Sequence, residues 1–263
     1  MNLKLILNTK LFFLTLFTIF ISFDLSSQEE PVFEEIIVTA EKRDESLQTV
    51  SQAVTALTAS EIEAKNINSF VDLSSIVPGV TVAKNEGYKT VISIRGVGNE
   101  TNQNAIAAPS VAYHMDGIFI ASPFSLQTDF LDVQRIEVLR GPQGTLFGQN
   151  STGGAINVIS NKPTTDERFS KADITYGDYG MKQLRSSSNI PISDSASTKI
   201  SFSAMTREGF TENLLTGQDL DDAHNLSFRA DFLIELSDTS SLRVFGQYAN
   251  AVSYTHLTLP TKQ

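Results

Sequence analysis

A glycine-rich loop between two short β-type runs is the feature of this sequence that most constrains its fold. The runs cover residues 134–140 and 154–160 and are rich in isoleucine, valine and leucine. Glycine permits tight and left-handed backbone, and proline fixes one backbone angle, so the connection predicts a compact loop of defined shape between two strands. Its turn-forming residues are Gly141, Pro142, Gly144, Gly148, Gly153 and Gly154.

Two helix signals precede this loop. Ser60 with Glu63, and Ser69 with Asp72, have the spacing of capping boxes, in which each side chain binds a backbone amide at the start of a helix. The Pro-Gly pair at 78–79 predicts the end of the second helix.

Further strands are predicted at 90–95, 111–115 and 118–120. Asp116 and Gly117 join the last two and suit a type I′ hairpin turn. Mixed strands with two short helices predict a small α+β domain.

From residue 166 onward the pattern changes to alternation of apolar and polar side chains. It predicts five strands, at 171–177, 182–190, 199–204, 225–236 and 241–248. Apolar side chains on one face and charges on the other suit a transmembrane barrel with a polar lumen. A soluble sandwich with its apolar face inward has the same alternation, so the pattern leaves both architectures open.

The first residues have the order of a secretory signal. Lys4 and Lys10 precede a mostly apolar run at 11–23, which small polar residues follow. We expect a signal peptide at 1–27, because 13 residues are too few for a spanning helix, which needs roughly 20. No later run reaches 18 apolar residues, so a membrane location requires strands.

Several functional classes are disfavoured. A formal net charge of −10 argues against a nucleic-acid partner, and the absence of cysteine removes thiolate and iron–sulfur chemistry. The spacing of Gly148 and Gly153 fits a phosphate loop, but Gly154 and Ala155 stand where lysine and serine or threonine are required. We expect no enzyme, no cofactor and no metal site.

Two segments together carry a family resemblance. The stretch RIEVLRGPQGTLFGQNSTGGAINVISNKP at 135–163, preceded by EEIIVTAEKR at 34–43, resembles the plug domain of TonB-dependent outer-membrane transporters. The resemblance implies an α+β plug domain followed by a large antiparallel transmembrane β-barrel, which has about 22 strands in such plugged proteins. It places the protein in the cell outer membrane, in contact with its lipid, with the plug facing the periplasm.

The resemblance also implies the domain bounds. The signal peptide at 1–27 is followed by an N-terminal stub at 28–45, a plug at 46–165 and the first barrel strands at 166–250. Only 98 of the 263 residues follow residue 165, too few for 22 strands of roughly ten residues, so we expect an N-terminal fragment. Residues 251–263 are expected to be a non-native tail.

A short β-prone run between charged flanks lies near the front of the chain. Such a segment can add itself to the sheet edge of a partner, and a strand of the domain's own sheet is the alternative. The resemblance identifies the run as the TonB box, bound by TonB with its inner-membrane energising complex. The residues of this box are Glu35, Ile36, Ile37, Val38, Thr39 and Ala40.

Other site residues come from the same resemblance. Arg95, Glu137 and Arg140 are expected in a charged cluster between plug and barrel wall, although alternating charges on a strand can also be its solvated face. The residues expected to shape the plug's turns are Gly96, Asp116, Gly117, Gly141, Pro142, Gly144, Gly148, Gly153 and Gly154.

The implied function is TonB-dependent uptake of a scarce nutrient, gated by the plug. A ferric siderophore or similar chelate is the expected substrate, with cobalamin, other metal chelates and sugars left open. Its selection is expected in barrel loops and in the plug segments 87–88 and 99–108. The alternative is a soluble periplasmic plug-like binding module that transports nothing.

Overall fold

A computed structural model of the protein describes residues 36–39, 42–43, 45–85, 89–98, 108–122, 125–126, 129–214, 217, 219–237 and 239–252. All of these belong to one compact unit, Ile36–Gln263. The predicted signal peptide, box residues Glu35 and Ala40, the segments 87–88 and 99–107, and the tail from 253 lie outside the described residues.

The described elements are mostly strands. The strands are β1 (Ile37–Val38), β2 (Glu45–Ser46), β3 (Ala53–Thr58), β4 (Val80–Asn85), β5 (Lys89–Ile94), β6 (Val97–Gly98), β7 (Val111–Met115), β8 (Ile118–Phe119), β9 (Val133–Arg140), β10 (Gly154–Ser160), β11 (Phe169–Tyr176), β12 (Lys182–Ser193), β13 (Ala196–Arg207), β14 (Thr211–Glu212), β15 (Asp219–Leu220), β16 (Ala223–Ser237) and β17 (Ser240–Val252). The helices are α1 (Ala59–Ala64), a 3-10 turn (Phe70–Asp72), α2 (Leu73–Ile76) and α3 (Gly144–Phe147). No helix in this part of the chain is long and apolar enough to cross a membrane.

The plug is organised around a five-stranded mixed sheet in the order β3-β9-β10-β7-β8. The β9–β10 pair is antiparallel and β10 runs parallel to β7. All seven residues of β10 are buried, because the sheet is covered on both faces. One face packs on apolar residues of the helical segment, among them Ile62, Phe70 and Leu73. Burying each such side chain contributes about 1.5–3 kcal/mol.

The opposite face of the sheet is lined by small residues. Ala56, Ala112 and Ala155 come together there with Leu139. Val38 of the N-terminal segment, residues 36–39, packs against them. Alanines let the chain of the N-terminal segment lie close against the sheet. The glycine-rich loop therefore positions two strands whose second face receives the predicted TonB box.

The helix signals are partly confirmed. Ser69 and Asp72 form the predicted capping box, and α2 ends before the Pro-Gly pair. The first cap was predicted two residues too late: Thr58 and Glu61 form the box that starts α1. Ser60 is already helical because β3 ends at Thr58, whose extended backbone makes it the N-cap.

The strand predictions fare better in the second half of the plug. The strand at 111–115 and the strand at 154–160 have the predicted bounds. Asp116 and Gly117 have φ of 50° and 82°, as a type I′ turn requires. The six-residue strands β3 and β4 were missed, because neither has an apolar alternation long enough to stand out, and the two-residue strands β2 and β6 were missed as well.

The five strands predicted after residue 166 form one antiparallel sheet, the wall sheet, in the order β11-β12-β13-β16-β17. Connections of two residues, 194–195 and 238–239, join strands at one end, whereas longer connections at 177–181 and 208–222 join them at the other. Short turns at one end and long loops at the other are typical of outer-membrane barrels, with the short turns on the periplasmic side.

The wall sheet turns its polar face to the plug and its apolar face outward. On β16 the inward side chains are between 1% and 3% exposed: Ser227, Arg229 and Asp231. The outward side chains on the same strand are between 42% and 47% exposed: Leu226, Phe228, Phe232 and Ile234. A soluble sandwich would bury the apolar face, so the arrangement supports the barrel interpretation over the sandwich.

Gly154 provides a test of the loop's geometry. It has φ +149°, and a Cβ there would lie 2.2 Å from the Leu139 carbonyl oxygen. We expect Gly154→Ala to lower the stability of the plug by about 3 kcal/mol, because backbone strain and overpacking add. Hydrogen exchange of β9 and β10 amides across a urea series measures it.

Gly144→Ala is the matched control. Gly144 has open space around its Cβ position and is the first residue of α3. Its substitution should be neutral or stabilise by up to about 1 kcal/mol. Equal losses in the two variants would contradict the structural role assigned to Gly154.

Candidate functional site

The N-terminal segment is docked on the plug. Strand β1 pairs with β2, joining Ile37 to Ser46 and Val38 to Glu45. Val38 is fully buried, whereas the Ile37 side chain is 51% exposed. The structure has neither a solvated, isolated strand at Ile36–Thr39 nor a strand of the plug's own sheet, because β1 forms a separate two-stranded sheet with β2. The pattern could not show this because the pairing partner is itself only two residues long.

Glu137 is the anchor for this segment. Its carboxylate accepts hydrogen bonds from the Thr39 backbone N–H at 2.8 Å and from the Thr39 hydroxyl at 3.1 Å. Arg135 Nε donates to the same oxygen at 2.8 Å, and Asn157 Nδ2 donates to the other at 3.3 Å. The Glu137 side chain is fully buried. A buried carboxylate needs such donors, and one residue of the N-terminal segment supplies two of them.

The three residues of the predicted charge cluster are not brought together. Glu137 faces the N-terminal segment rather than the wall strands. Arg95 lies exposed in the turn between β5 and β6, with φ of 54°. Arg140 ends β9, half-buried, and its Nε has no hydrogen-bond partner among the described residues. For Arg95 and Arg140, contact with a barrel wall stays a prediction.

A different charged cluster joins plug to wall, and Asp116 of the β7–β8 turn is at its centre. Arg229 Nη2 of β16 donates to Asp116 at 2.7 Å, and Arg243 of β17 lies 3.6 Å away. Both arginines also contact Asp231. The Ser160 N–H and hydroxyl complete the set, at 3.0 and 2.9 Å. Two carboxylates and two guanidinium groups balance one another at the interface, where an unpaired charge would be costly.

The environment of Asp116 keeps it ionised. Burial by itself would raise its pKa, but the hydrogen bonds from Ser160 and the charges of Arg229 and Arg243 together lower the pKa below the ordinary value. The Phe245 ring lies 4.2 Å from the Arg229 guanidinium carbon. This aromatic face helps to hold the arginine in place.

Two further plug carboxylates contact the wall sheet. Asp132 accepts from Lys199 Nζ at 2.8 Å and from Ser201 Oγ at 3.1 Å. Asp129 accepts from Asn225 Nδ2 at 2.9 Å. Burial raises the pKa of Asp129, with the Asn225 hydrogen bond acting in the opposite direction. Both carboxylates lie in the segment that leads into β9. The wall sheet therefore contacts the plug at two places, this segment and the β7–β8 turn.

Sequence reasoning missed this interface. Alternation identified the wall's polar face, but it could not indicate which plug residue each polar side chain meets. Asp116 was predicted only as a turn residue. Its backbone has the positive φ of that turn, and its carboxylate contacts the wall sheet. The signal available was the charge itself: an aspartate in a hairpin turn beside strands that carry arginines on one face.

The predicted turn residues mostly occupy special backbone. Positive φ is found at Gly96, Asp116, Gly117, Gly141, Gly148 and Gly154. Gly153 serves close packing instead, since a Cβ there would lie 2.7 Å from the Val97 carbonyl oxygen. Pro142 precedes α3, and Gly144 is that helix's first residue. In the part of the chain that is described, no three His, Asp or Glu side chains cluster as metal ligands.

Comparison with known proteins agrees with this architecture. Residues 46–155 match the family model of the TonB-dependent receptor plug domain. The chain is 33% identical over 148 residues to the pesticin receptor of Yersinia pestis, a match that covers 54% of this chain and 20% of that protein. It is 26% identical over 189 residues to the vitamin B12 transporter BtuB of Vibrio vulnificus, covering 72% of this chain and 30% of the relative.

A third relative and a solved structure extend the comparison. The iron-regulated outer membrane virulence protein of Vibrio cholerae is 31% identical over 136 residues, covering 49% of this chain and 20% of the relative. The crystal structure of the ferric yersiniabactin uptake receptor FyuA from Yersinia pestis superposes with a TM-score of 0.68 at 22% identity. That match covers 76% of this chain and 32% of FyuA, and it includes the fold of plug and first strands.

The chain contains the plug domain of the TonB-dependent receptors, at residues 46–155. It has their α+β plug followed by strands of an incomplete barrel, and it is a protein of the outer membrane. The family consists of receptors and transporters rather than enzymes, as expected from the sequence. The chain spans about a fifth of the length of the pesticin receptors and less than a third of BtuB.

The Asp116 contacts predict a pH-dependent attachment of plug to wall. We expect Asp116→Asn to weaken that attachment by about 3 kcal/mol near neutral pH, because it leaves two buried arginines with one carboxylate. Since the folded-state pKa of Asp116 is lowered, its contribution is present above the ordinary carboxyl pKa of about 4 and is lost as pH falls through the lowered value. Hydrogen exchange of β7 amides in urea at several pH values measures it.

The variant and the wild type should therefore converge in acid. Asp194→Asn in the exposed turn between β12 and β13 is the control and should match the wild type throughout. A constant difference between Asp116→Asn and wild type down to strongly acid pH would contradict the assignment.

Proposed function

We propose that this chain is the N-terminal part of a TonB-dependent transporter that takes a scarce nutrient across the outer membrane. The observation that carries the proposal is the inverted polarity of the wall sheet, which packs polar side chains on the plug and turns apolar ones outward. Such a wall suits lipid on one side and a plugged polar lumen on the other. In domain terms we propose a stub at 28–45, a plug at 46–165 and wall strands at 166–250.

The plug–wall contacts suit a gate. They are polar and ionic rather than an apolar core, and they join Asp116, Asp129 and Asp132 to β12, β13, β16 and β17. Ionic contacts in a polar lumen can exchange with water, so the plug can shift without exposing a large apolar surface. A plug held this way can rearrange while the wall stays intact.

TonB is the proposed partner of the N-terminal segment. Strand β1 is short, and a partner's sheet could pair with its backbone in place of β2, which is the mode of recognition by strand addition. The segment is joined to the plug beside β9, so force applied to it reaches the central sheet directly. The inner-membrane energising complex would supply that force through TonB.

A ferric siderophore or similar chelate is the proposed substrate. The pesticin receptor and the ferric yersiniabactin uptake receptor are among the similar proteins, and a virulence protein regulated by iron is another. The vitamin B12 transporter among the relatives keeps cobalamin as the second candidate. The soluble binding module is disfavoured because it would leave Phe228, Phe232 and their neighbours on the apolar face in water.

Strand addition predicts a strong effect of proline in the segment. In the complete receptor, Ile37→Pro should reduce uptake of radiolabelled ferric chelate at least tenfold, because proline removes a backbone donor that the added strand needs. Ile37→Ala keeps that donor and removes only an exposed side chain, so it should retain uptake within about twofold. Both variants should still bind the chelate at the cell surface. Unchanged uptake in Ile37→Pro would count decisively against TonB binding here.

The barrel proposal predicts further strands. The genomic reading frame should continue beyond the codon for Asn250 through many more alternating segments, because a plugged barrel of this class needs about 22 strands. Resequencing the locus measures this directly. A stop codon within a few residues of that position would overturn the transporter and favour the binding module.

A further inference from the structure

The outward face of the wall sheet has few charged side chains. Along its five strands as described, only Lys182 of β12 and, when protonated, His224 of β16 are charged on this face. Thr206 of β13 pairs with both of them, and Tyr176 of β11 pairs with Lys182. The four exposed side chains therefore lie side by side across the sheet, in what we call the outer row.

The outer row lies at the end of the wall sheet from which the long connections leave. Those connections, 177–181 and 208–222, mark the external end of an outer-membrane barrel. One row further down the strands the outward face is apolar, with Ile174, Leu184 and Leu226 exposed. The outer row thus forms the external boundary of the apolar surface.

The height of that apolar surface fits the interior of a membrane. On β16 its outward side chains run from Leu226 to Leu236. At roughly 3.3 Å per residue along a strand tilted by about 45°, this stretch is about 24 Å tall, close to the ~25 Å apolar band of outer-membrane barrels. His224 lies two residues beyond it, about 5 Å higher by the same arithmetic, at the level of the lipid headgroups.

The side chains of the outer row suit a phosphate group. Neighbouring strands are about 4.8 Å apart, so the long Lys182 side chain can reach across Thr206 and meet a ligand shared with His224. An ammonium and a hydroxyl both donate hydrogen bonds, and a donor with a full charge binds an anionic oxygen most strongly. His224 Nε2 lies 3.3 Å from Asp222 Oδ2, and the imidazole adds a second positive charge when it is protonated.

The neighbouring side chains suit the rest of a lipid. Tyr176 has an apolar ring and a polar hydroxyl, a combination that favours the boundary between lipid and water. Below Thr206 the small side chain of Ala204 lies between Leu184 and Leu226, so the surface there has a shallow groove. An acyl chain can pack in that groove while its headgroup meets the outer row.

The charges of the long connections favour a lipid over a dissolved anion. These connections contain no lysine or arginine and have six carboxylates: Asp178, Glu208, Glu212, Asp219, Asp221 and Asp222. Their negative charge disfavours the approach of a free anion from outside. A lipid reaches the outer row from within the membrane, and its acyl chains contribute binding energy that a free anion lacks.

We propose that the outer row binds the phosphate of an outer-leaflet lipid whose acyl chains pack on the apolar side chains below it. The inference rests on the proposed barrel, in which the outward face meets lipid, and is independent of the substrate and of TonB. Bound in this way, the lipid ties together β11, β12, β13 and β16 at their external ends.

Lys182→Gln is the central test, made in the complete receptor in detergent. The substitution keeps most of the side chain's length and removes its charge. Native mass spectrometry measures binding of lipid A that carries two phosphates, and of the same lipid after dephosphorylation. We expect the affinity for the phosphorylated lipid to fall about fivefold, the size typical of one lysine at an anionic lipid surface. Arg168→Gln removes an exposed charge one residue before β11, at the opposite end of the sheet, and should match the wild type.

Thr206→Val tests the outer row without changing its charge. Valine keeps the shape of the side chain and removes the hydroxyl, so the affinity for the phosphorylated lipid should fall by about twofold to threefold, as for one hydrogen bond. Uptake of ferric chelate should stay within about twofold of the wild type in this variant and in Lys182→Gln, because both side chains face away from the plug.

The outcomes separate a phosphate site from general adhesion of lipid. Unchanged affinity in Lys182→Gln, or an equal fall for the dephosphorylated lipid, would overturn the site. Displacement of the lipid by an excess of inorganic phosphate would overturn the lipid as the ligand. A fall confined to the phosphorylated lipid supports the site. The same fall in a receptor that transports no chelate would support the site and overturn only the proposed substrate.

Discussion

The Asp116 carboxylate, bound by Arg229 and Arg243 of the wall, is the contact on which the relation between plug and wall depends. It is buried and balanced by Asp231, so four charges share one interface. Removing water from charged groups is costly unless each one is paired, and here every charge has a partner of opposite sign. This requirement fixes the register between the β7–β8 turn and strands β16 and β17.

The polarity of the wall sheet has the same origin. The inward face must meet the charged and polar groups of the plug, so it carries Lys199, Arg229 and Asp231, while the outward face is apolar. A water-soluble protein arranged this way would expose a broad apolar surface, and a membrane removes that cost. The plug itself behaves as an ordinary soluble domain, with an apolar core on one side of its sheet. The plug therefore buries apolar side chains, whereas the wall sheet buries polar ones. The polar interface between them accommodates both.

The second face of the plug sheet serves the N-terminal segment. Alanines at 56, 112 and 155 leave room for Val38, and Glu137 supplies the charge that holds Thr39. One strand, β9, thus has apolar residues that face the helices and a carboxylate that faces the segment. This double use explains why Glu137, on the strand that leads into the glycine-rich loop, faces the N-terminal segment rather than the wall strands. It also explains why a charge cluster inferred from motif positions did not form among Arg95, Glu137 and Arg140.

Periodicity and turn chemistry in the sequence were sufficient for the five wall strands, the hairpin at Asp116 and Gly117, and the strands that flank the glycine-rich loop. These features depend on neighbours in the chain, and local residue patterns determine them. The partners of Asp116 and Glu137 are distant in the chain: Arg229 lies 113 positions from Asp116, and Arg243 lies farther still. The capping box at Thr58 is local, but its position depends on where β3 ends. Alternation assigns a side chain to a face but not to a partner. Only the tertiary structure decided which face of the wall is buried, because burial depends on what packs against a sheet rather than on the sheet's own sequence.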